Sequence, residues 1–598
     1  MQVTWLDYLV IALYFAIVLV ISFRFSRDKE TSENYLLGGR KMHHITIGIA
    51  ILMSLLSSIS IVMVPGETFN HGLTLFIFGS TLGALLGIPA YLLFTRFYFK
   101  LGSFTPYEYL EYRYDKTIRA IVAFSSFYVR VMYLAMVLYT TSKIFEASYQ
   151  WPAAASILLV GCFGVVYTLM GGSKAVIWND IFQFCVLFGS FAAVVAVLCA
   201  NIDGGAAAAV AVAWEDGRGL PQFSQAEFYG LSPYVRLLFW LLLVNTVLES
   251  VRMAASDQIT IQRLLSTRDW KTGFKAQIVS VIVGMVCGIP LFFTGLALYT
   301  YFKQNPDPMI GPGNGDAAFF RFVSLKMRSP LPGLFMAGML AAIMSTVSAG
   351  FNSMAAIWLK EFHQKFINKK LTPAGEVRVS KWATLAVGAF AVLFALALTA
   401  SGQWLQQSVA EVGTIFYVLG AMVLPAFVCA VFSPRANAKL IWCYTFFSVG
   451  ETVAYNLWYA LSRSSLQAWE KDKTLAWSWA GPLEGMYVLI PLAAGAALTA
   501  PYLLGGRRWT ASLSALLGMA GLGSALGMFT WYAYSHYYIT SEPLARSFQF
   551  TLPVSVLLVF VALRFFPKQP PEKWRGLTLG TLNEPITAIA DMERGDAL

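Results

Sequence analysis

Charge is what this sequence has least of. Asp, Glu, Lys and Arg make up only 13% of its 598 residues, against 57% hydrophobic ones. A soluble chain carries about 25% charged residues, and half that density cannot cover the surface of several water-soluble domains. The mean hydropathy of +0.61 agrees, so the chain reads as a polytopic membrane protein. Cysteine is scarce as well. Cys162, Cys185, Cys199, Cys287, Cys429 and Cys443 all fall in apolar stretches without a CxxC pair, which excludes a disulfide framework and a zinc ribbon. The histidines form no HExxH motif, and no GxxxxGK[ST] loop offers a site for ATP. No enzyme is expected from a chain without a catalytic constellation. An N-x-[ST] sequon is also missing, which favours a bacterial inner membrane over an animal secretory route. The first apolar run lacks a basic leader and a cleavage site, and reads as a retained helix.

What is present is a series of long apolar runs. Fifteen approach the length of a span: 5–23, 45–69, 73–98, 118–146, 153–170, 174–200, 235–255, 275–302, 331–358, 380–400, 406–432, 437–461, 484–504, 511–536 and 549–566. With the N-terminus outside, 31 of the 43 Lys and Arg residues fall in inside segments and nine in outside loops. That asymmetry sets the orientation and leaves the C-terminal tail inside. It also turns the net charge of +11 into topology, so nucleic acid is not expected as a partner. The lipid bilayer is the partner these runs imply, with no obligate protein partner evident. The whole of 1–566 reads as one transmembrane domain, followed by a cytoplasmic tail at 567–598. No loop is long enough for a catalytic domain.

Two spans carry oxygen where lipid-buried helices ordinarily carry none. Segment 45–69 holds Ser54, Ser57, Ser58 and Ser60, then Pro65-Gly66. Proline removes a backbone donor, and a carbonyl freed in hydrocarbon costs several kcal/mol unless something occupies it. A cation is one such occupant; close helix packing by small residues is the other explanation. Segment 331–358 places Ala342, Ser345 and Thr346 on one helix face, with Ser348 nearby. Asp180 lies about two turns into 174–200, where a carboxylate is costly and marks a functional site or a pair with Lys174.

At these residues the chain resembles the sodium/solute symporter family. GGSKAVIWNDIFQ matches the family's G-G-x-x-A-V-x-[WY]-x-D-x-x-Q signature, ETSENYLLGGRKM its first cytoplasmic loop, and AAIMSTVSAGFNS its serine-rich helix. PGETFNHG is most similar to the iodide and monocarboxylate branch. The resemblance covers about the first 440 residues. It implies an all-α, LeuT-type five-plus-five inverted repeat at 45–432, preceded by one extra helix and its loop (1–44) and followed by about four accessory helices (433–566). It implies sodium as coupling ion, held by Met53, Leu56, Ala342, Ser345 and Thr346. A second sodium would use Asp180 and Ser348, although Ala349 stands where the family places another hydroxyl.

For the solute, the positions that bind sugar in the family fall on Ser60 and near Gly413, and both shorten the reach that a sugar needs. Arg130 sits about a dozen residues into its span. An arginine at that depth needs an anion, and bidentate carboxylate recognition suits it. Pairing with Glu249, or snorkelling to the boundary, are the alternatives. The arginine resembles the carboxylate-binding arginine of the sialic acid transporters. The expected activity is thus sodium-coupled import, by alternating access, of an organic anion or acidic sugar on Arg130. Ser57, Ser60, Asn245 and Glu249 are the expected lining. A neutral sugar or polyol symporter, and a non-transporting solute sensor on the same fold, are the other readings.

Overall fold

The computed structural model describes residues 4–26, 31–102, 104–230, 238–311, 314–400, 422–447 and 563–586, together with 450, 519, 522, 523, 557 and 559. Among the described residues all regular structure is helical. Among these residues seven helices are long and apolar enough to cross a membrane, or eight when one bent pair counts as a span.

The bent pair is α3 (His44–Leu55) with α4 (Ser58–His71), set at 68° to each other. The break lies at Leu56 and Ser57, ahead of Pro65, which is carried inside α4. Its cause is local. Leu56 leaves the helix with extended backbone, and the hydroxyl of Ser57 accepts from the amide of Ser60, starting a new helix rather than continuing the old one. The expected unwinding is therefore present, but serine capping and not proline fixes where it falls.

Two expected spans, 153–170 and 174–200, belong to one 48-residue element, α8 (Ala153–Ala200). At about 1.5 Å per residue this is roughly twice the hydrocarbon thickness. Gly172 divides it, with φ +61°. A Cβ there would sit 2.7 Å from the Tyr35 ring and carbonyl, so both conformation and space require glycine.

Other expected spans coincide with α1 (Trp5–Arg24), α5 (Ala84–Leu101) with the wider turns at Phe76–Gly83, α7 (Lys116–Tyr149), α12 (Trp270–Gln304), α14 (Leu331–Ile357) and α15 (Pro373–Ala400). Span 235–255 matches α10 (Phe239–Ser256), and the end of 406–432 matches α16 (Val423–Phe432). Short helices join them: α2 (Ser32–Leu37), α6 (Tyr107–Arg113), α9 (Gly205–Glu215), α11 (Gln258–Leu265) and α13 (Gly315–Lys326). The span at 484–504, nearly all of 511–536, most of 549–566, about half of 437–461, and Gly413 lie outside the described residues.

The chain forms two compact units. The first comprises Met1–Pro106, Arg130–Ala226 and Asp257–Gln407. Its centre is α14, buried at nearly every position and packed on α8, α1, α15 and α3. The small residues Gly338, Ala341, Ala342, Ser345 and Ala349 make that encirclement possible. The second unit comprises Tyr107–Val129, Glu227–Ser256 and Ser408–Leu598. In it α16 packs on α10 and α6, with Leu424 and Val428 against Leu248 and Val251.

Candidate ion and solute site

The site grows from the break in α3–α4. With no helix continuing past it, the carbonyl of Leu56 is available, and the hydroxyl of Thr346 on α14 lies 3.1 Å away. The same hydroxyl is 3.1 Å from the carbonyl of Ala342 one turn earlier. Leu56, Ala342 and Thr346 thus bring three oxygens to one point, two of them backbone. Met53, fully buried, stands in the last turn of α3. Ser345 turns the other way: its hydroxyl donates to Asp180 Oδ1 at 2.8 Å. The five residues assigned to sodium are thereby divided, with Ser345 linked to Asp180 and Thr346 to the break.

Asp180 is completely buried. Its second oxygen pairs with Arg263 of α11 at 2.7 Å, not with Lys174, whose ammonium lies over the Phe25 ring. Burying one ion without a partner costs several kcal/mol, and α11 is brought here to supply it. Sequence reading counts Arg263 among loop charges because it stands only a few residues from Arg268 and Lys271. The signal that separates them is its neighbourhood, since every residue of α11 is buried. Ser348 donates to the carbonyl of Ser345 at 3.2 Å and makes no hydrogen bond to Asp180. The two residues expected to hold a second ion are on the same element pair, but are not joined.

The rest of the WNDIFQ motif braces the extra helix α1. Asn179 donates to Ser22 at 2.8 Å, and Gln183 to the hydroxyl of Tyr14 at 3.0 Å. Tyr167 donates to the carbonyl of Met344 at 2.7 Å, tying the first half of α8 to α14. The loop motif is also absorbed here. Tyr35 is buried against Gly172, and Gln262, beside Arg263, donates to the carbonyl of Leu36 at 2.6 Å.

The solute candidates divide between the two units. In the first, Arg130 forms an ion pair with Asp257 and lies 5.5 Å from the Tyr133 ring centre. Its side chain remains 19% exposed, whereas that of Asp257 is 1% exposed. Asp257 is also held from its own helix, because its other oxygen caps α11, accepting from the amide and hydroxyl of Thr260 at 2.8 and 2.9 Å. Glu249 is therefore not the partner of Arg130. It lies in the second unit and pairs with Arg252 at 2.5 Å, three residues along the same helix. Asn245 is half-buried on that helix. Ser57 is buried and Ser60 partly so, their hydroxyls 3.4 Å apart at the start of α4. Lys143 pairs with Glu146 at an exposed position.

The family model described as the sodium:solute symporter family matches residues 35–440. The chain is 28% identical over 416 residues to the sodium-dependent multivitamin transporter of Oryctolagus cuniculus, an alignment covering 68% of this chain and 63% of that relative. It thus spans less than two thirds of that relative's length. It is 25% identical over 440 residues to the sodium/sialic acid symporter of Proteus mirabilis, covering 73% and 86% of the two chains. The solved structure of a Na+-coupled sialic acid symporter, in a substrate-bound outward-open state, superposes with a TM-score of 0.66 at 20% identity. That superposition covers 88% of this chain and 98% of the other, and shows a shared fold. Its family model matched over more than half its length, the chain belongs to the sodium:solute symporter family.

Proposed function

We propose that this protein imports a small organic anion or acidic sugar together with sodium, by alternating access across a bacterial inner membrane. All fifteen spans would take part in that membrane domain, with the N-terminus outside and the tail inside. The coupling ion would be held by the carbonyls of Met53, Leu56 and Ala342 and the hydroxyls of Ser345 and Thr346. Convergence of Leu56, Ala342 and Thr346 at a helix break supports this, because hard oxygen donors suit an alkali cation and half-broken helices supply them at mid-membrane.

The observation that carries the solute assignment is Arg130. It is partly exposed, and a guanidinium has five donors, of which Asp257 engages one edge. The donors left over form a fork suited to a second carboxylate. Two of the relatives carry sialic acid, a sugar acid, in their names. Ser57, Ser60, Asn245 and Glu249 are proposed as further lining.

The energetics discriminate between stoichiometries. Each sodium entering down about 100 mV gains about 2.3 kcal/mol, and a tenfold gradient adds about 1.4 kcal/mol. One ion then sustains roughly 500-fold accumulation of a neutral solute, but only about tenfold for a monoanion, since no net charge moves. A second sodium on Asp180 and Ser348 would raise this. Against it, both oxygens of Asp180 are engaged, by Ser345 and Arg263.

A neutral sugar or polyol is the second reading. One observation favours it: Asp257 already balances the charge of Arg130. Uptake into proteoliposomes from a panel of an organic acid, a sialic acid, a neutral sugar and an amino acid decides. The carboxylates should accumulate and lose uptake in Arg130→Gln. Accumulation of the neutral sugar alone would select the second reading, and binding of a solute without flux would indicate a sensor.

A further inference from the structure

A groove of about 580 Å³ lies in the first unit, lined by none of the residues assigned to sodium or to the solute. It is framed by the end of α1 at Phe23, by Leu169 and Met170 just ahead of the Gly172 break, and by Arg378, Lys381 and Trp382 of α15. Leu385 follows one turn after Lys381, so residues 378, 381, 382 and 385 share a single helix face. Along that face two cations come first, then an aromatic ring, then an aliphatic chain. The apolar part is open to the surroundings: Trp382 is 66% exposed and Phe23 62%.

Among the described residues the two cations are not committed elsewhere. The nearby acid on the same helix is Glu376, which is bound to Ser32, to Gln364 at 2.5 Å and to Lys360 at 3.6 Å. Among the described residues no carboxylate pairs with Arg378 or Lys381. Ordinary loop lysines and arginines stand in water; these border an apolar groove between three helices. An order of charge, then aromatic ring, then aliphatic chain is complementary to a molecule with an anionic head and a long hydrocarbon tail.

We propose that this groove binds an anionic phospholipid of the leaflet toward which the loop arginines and lysines gather, its phosphate between Arg378 and Lys381 and one acyl chain along Phe23, Leu169 and Trp382. Each Lys or Arg near such a headgroup contributes enough that two of them should give a preference on the order of tenfold or more over a zwitterionic lipid. Leu169 and Met170 stand two to three residues before Gly172, so occupancy should also steady that break and raise the thermal midpoint.

The full chain, purified in detergent, is melted alone, with phosphatidylglycerol, with phosphatidylcholine, and with inorganic phosphate. Phosphatidylglycerol should raise the midpoint, and the other two should not. The double variant Arg378→Gln/Lys381→Gln should lose that increment while keeping its sodium-dependent shift. An increment equal for both lipids, matched by phosphate alone, or retained by the double variant would overturn the proposal. If the double variant does not fold, native mass spectrometry of the wild type decides. Preferential retention of phosphatidylglycerol that Lys381→Gln weakens supports the site, and equal retention of both lipids refutes it.

Discussion

The hydroxyl of Thr346 bridges the carbonyl of Leu56, where α3 stops, and the carbonyl of Ala342 in the intact helix α14, at 3.1 Å from each. One side chain thus links the broken element to the unbroken one. A cation drawn to the same oxygens would hold the two helices together in its presence and release them in its absence, which is what coupling requires.

Thr346→Ala removes the bridging oxygen, while Thr346→Ser keeps it. The alanine variant should need at least about tenfold more sodium for half-maximal uptake, the loss of one good contact of about 1.4 kcal/mol. The serine variant should stay near wild type. Sodium titration of uptake in proteoliposomes reads both, and equal sodium affinity in all three proteins would remove Thr346 from the site.

The Arg130–Asp257 pair predicts an asymmetry. Asp257→Asn strips a partly exposed arginine of its partner and weakens the cap on α11, so stability should fall by about 3 kcal/mol. Arg130→Gln leaves a nearly inaccessible carboxylate unpaired and should cost at least as much. The double variant should recover part of the loss, because neither charge then remains. Thermal melts of the four proteins check this, and strictly additive losses would show that the two charges do not interact.

In the second unit, Arg113 is 1% exposed and donates to three carbonyls: those of Ala430 and Ser433 at 2.8 and 2.7 Å, and that of Lys573. Tyr109 donates to Leu577 at 2.7 Å, and Lys573 returns a bond to the carbonyl of Tyr114 at 2.8 Å. The tail expected to trail into the cytoplasm is in this stretch a packed part of the unit. Truncation after 566 should lower stability by about 2–3 kcal/mol, the cost of leaving a buried charge and a buried hydroxyl short of acceptors. An unchanged melt in the truncated protein would show that the tail adds nothing.

Asp316 begins the short helix α13, outside the spans, and its carboxyl is raised above the ordinary range by burial and by the neighbouring Glu67. A raised acid binds its proton more tightly in the folded state than in the unfolded one. The folded state is therefore penalised as pH rises above the usual aspartate value, and not below it. Asp316→Asn should stabilise the protein at pH 7 and change little near pH 3.5. The same change at both pH values would show that the carboxyl is unperturbed.

Much of this was legible in the sequence, for identifiable reasons. Long apolar runs mark spans because hydrocarbon tolerates little else, and a cluster of serines followed by Pro65-Gly66 marks a segment that departs from an ordinary span. Asp180 stands out because a lone carboxylate in a span is expensive. Its partner was not legible. Arg263 and Asp257 lie in a segment rich in polar residues that reads as a cytoplasmic loop, yet folds inward as the buried helix α11. Sequence distance hides both pairs, since 83 positions separate Asp180 from Arg263 and 127 separate Arg130 from Asp257. The proline rule places a break at Pro65, and a local serine cap moves it to Leu56 and Ser57. The scarcity of charge within the spans suggests Glu249 as the partner of Arg130, and tertiary packing supplies Asp257 instead.

Sodium-coupled symport is tested at its root by uptake of a labelled carboxylate into proteoliposomes under an imposed inward sodium gradient, with choline replacing sodium in the control. The carboxylate should accumulate transiently above its outside concentration, only in sodium, and in Thr346→Ala that accumulation should require at least about tenfold more sodium. Equal accumulation with choline, or equilibration without accumulation in sodium, would refute coupling.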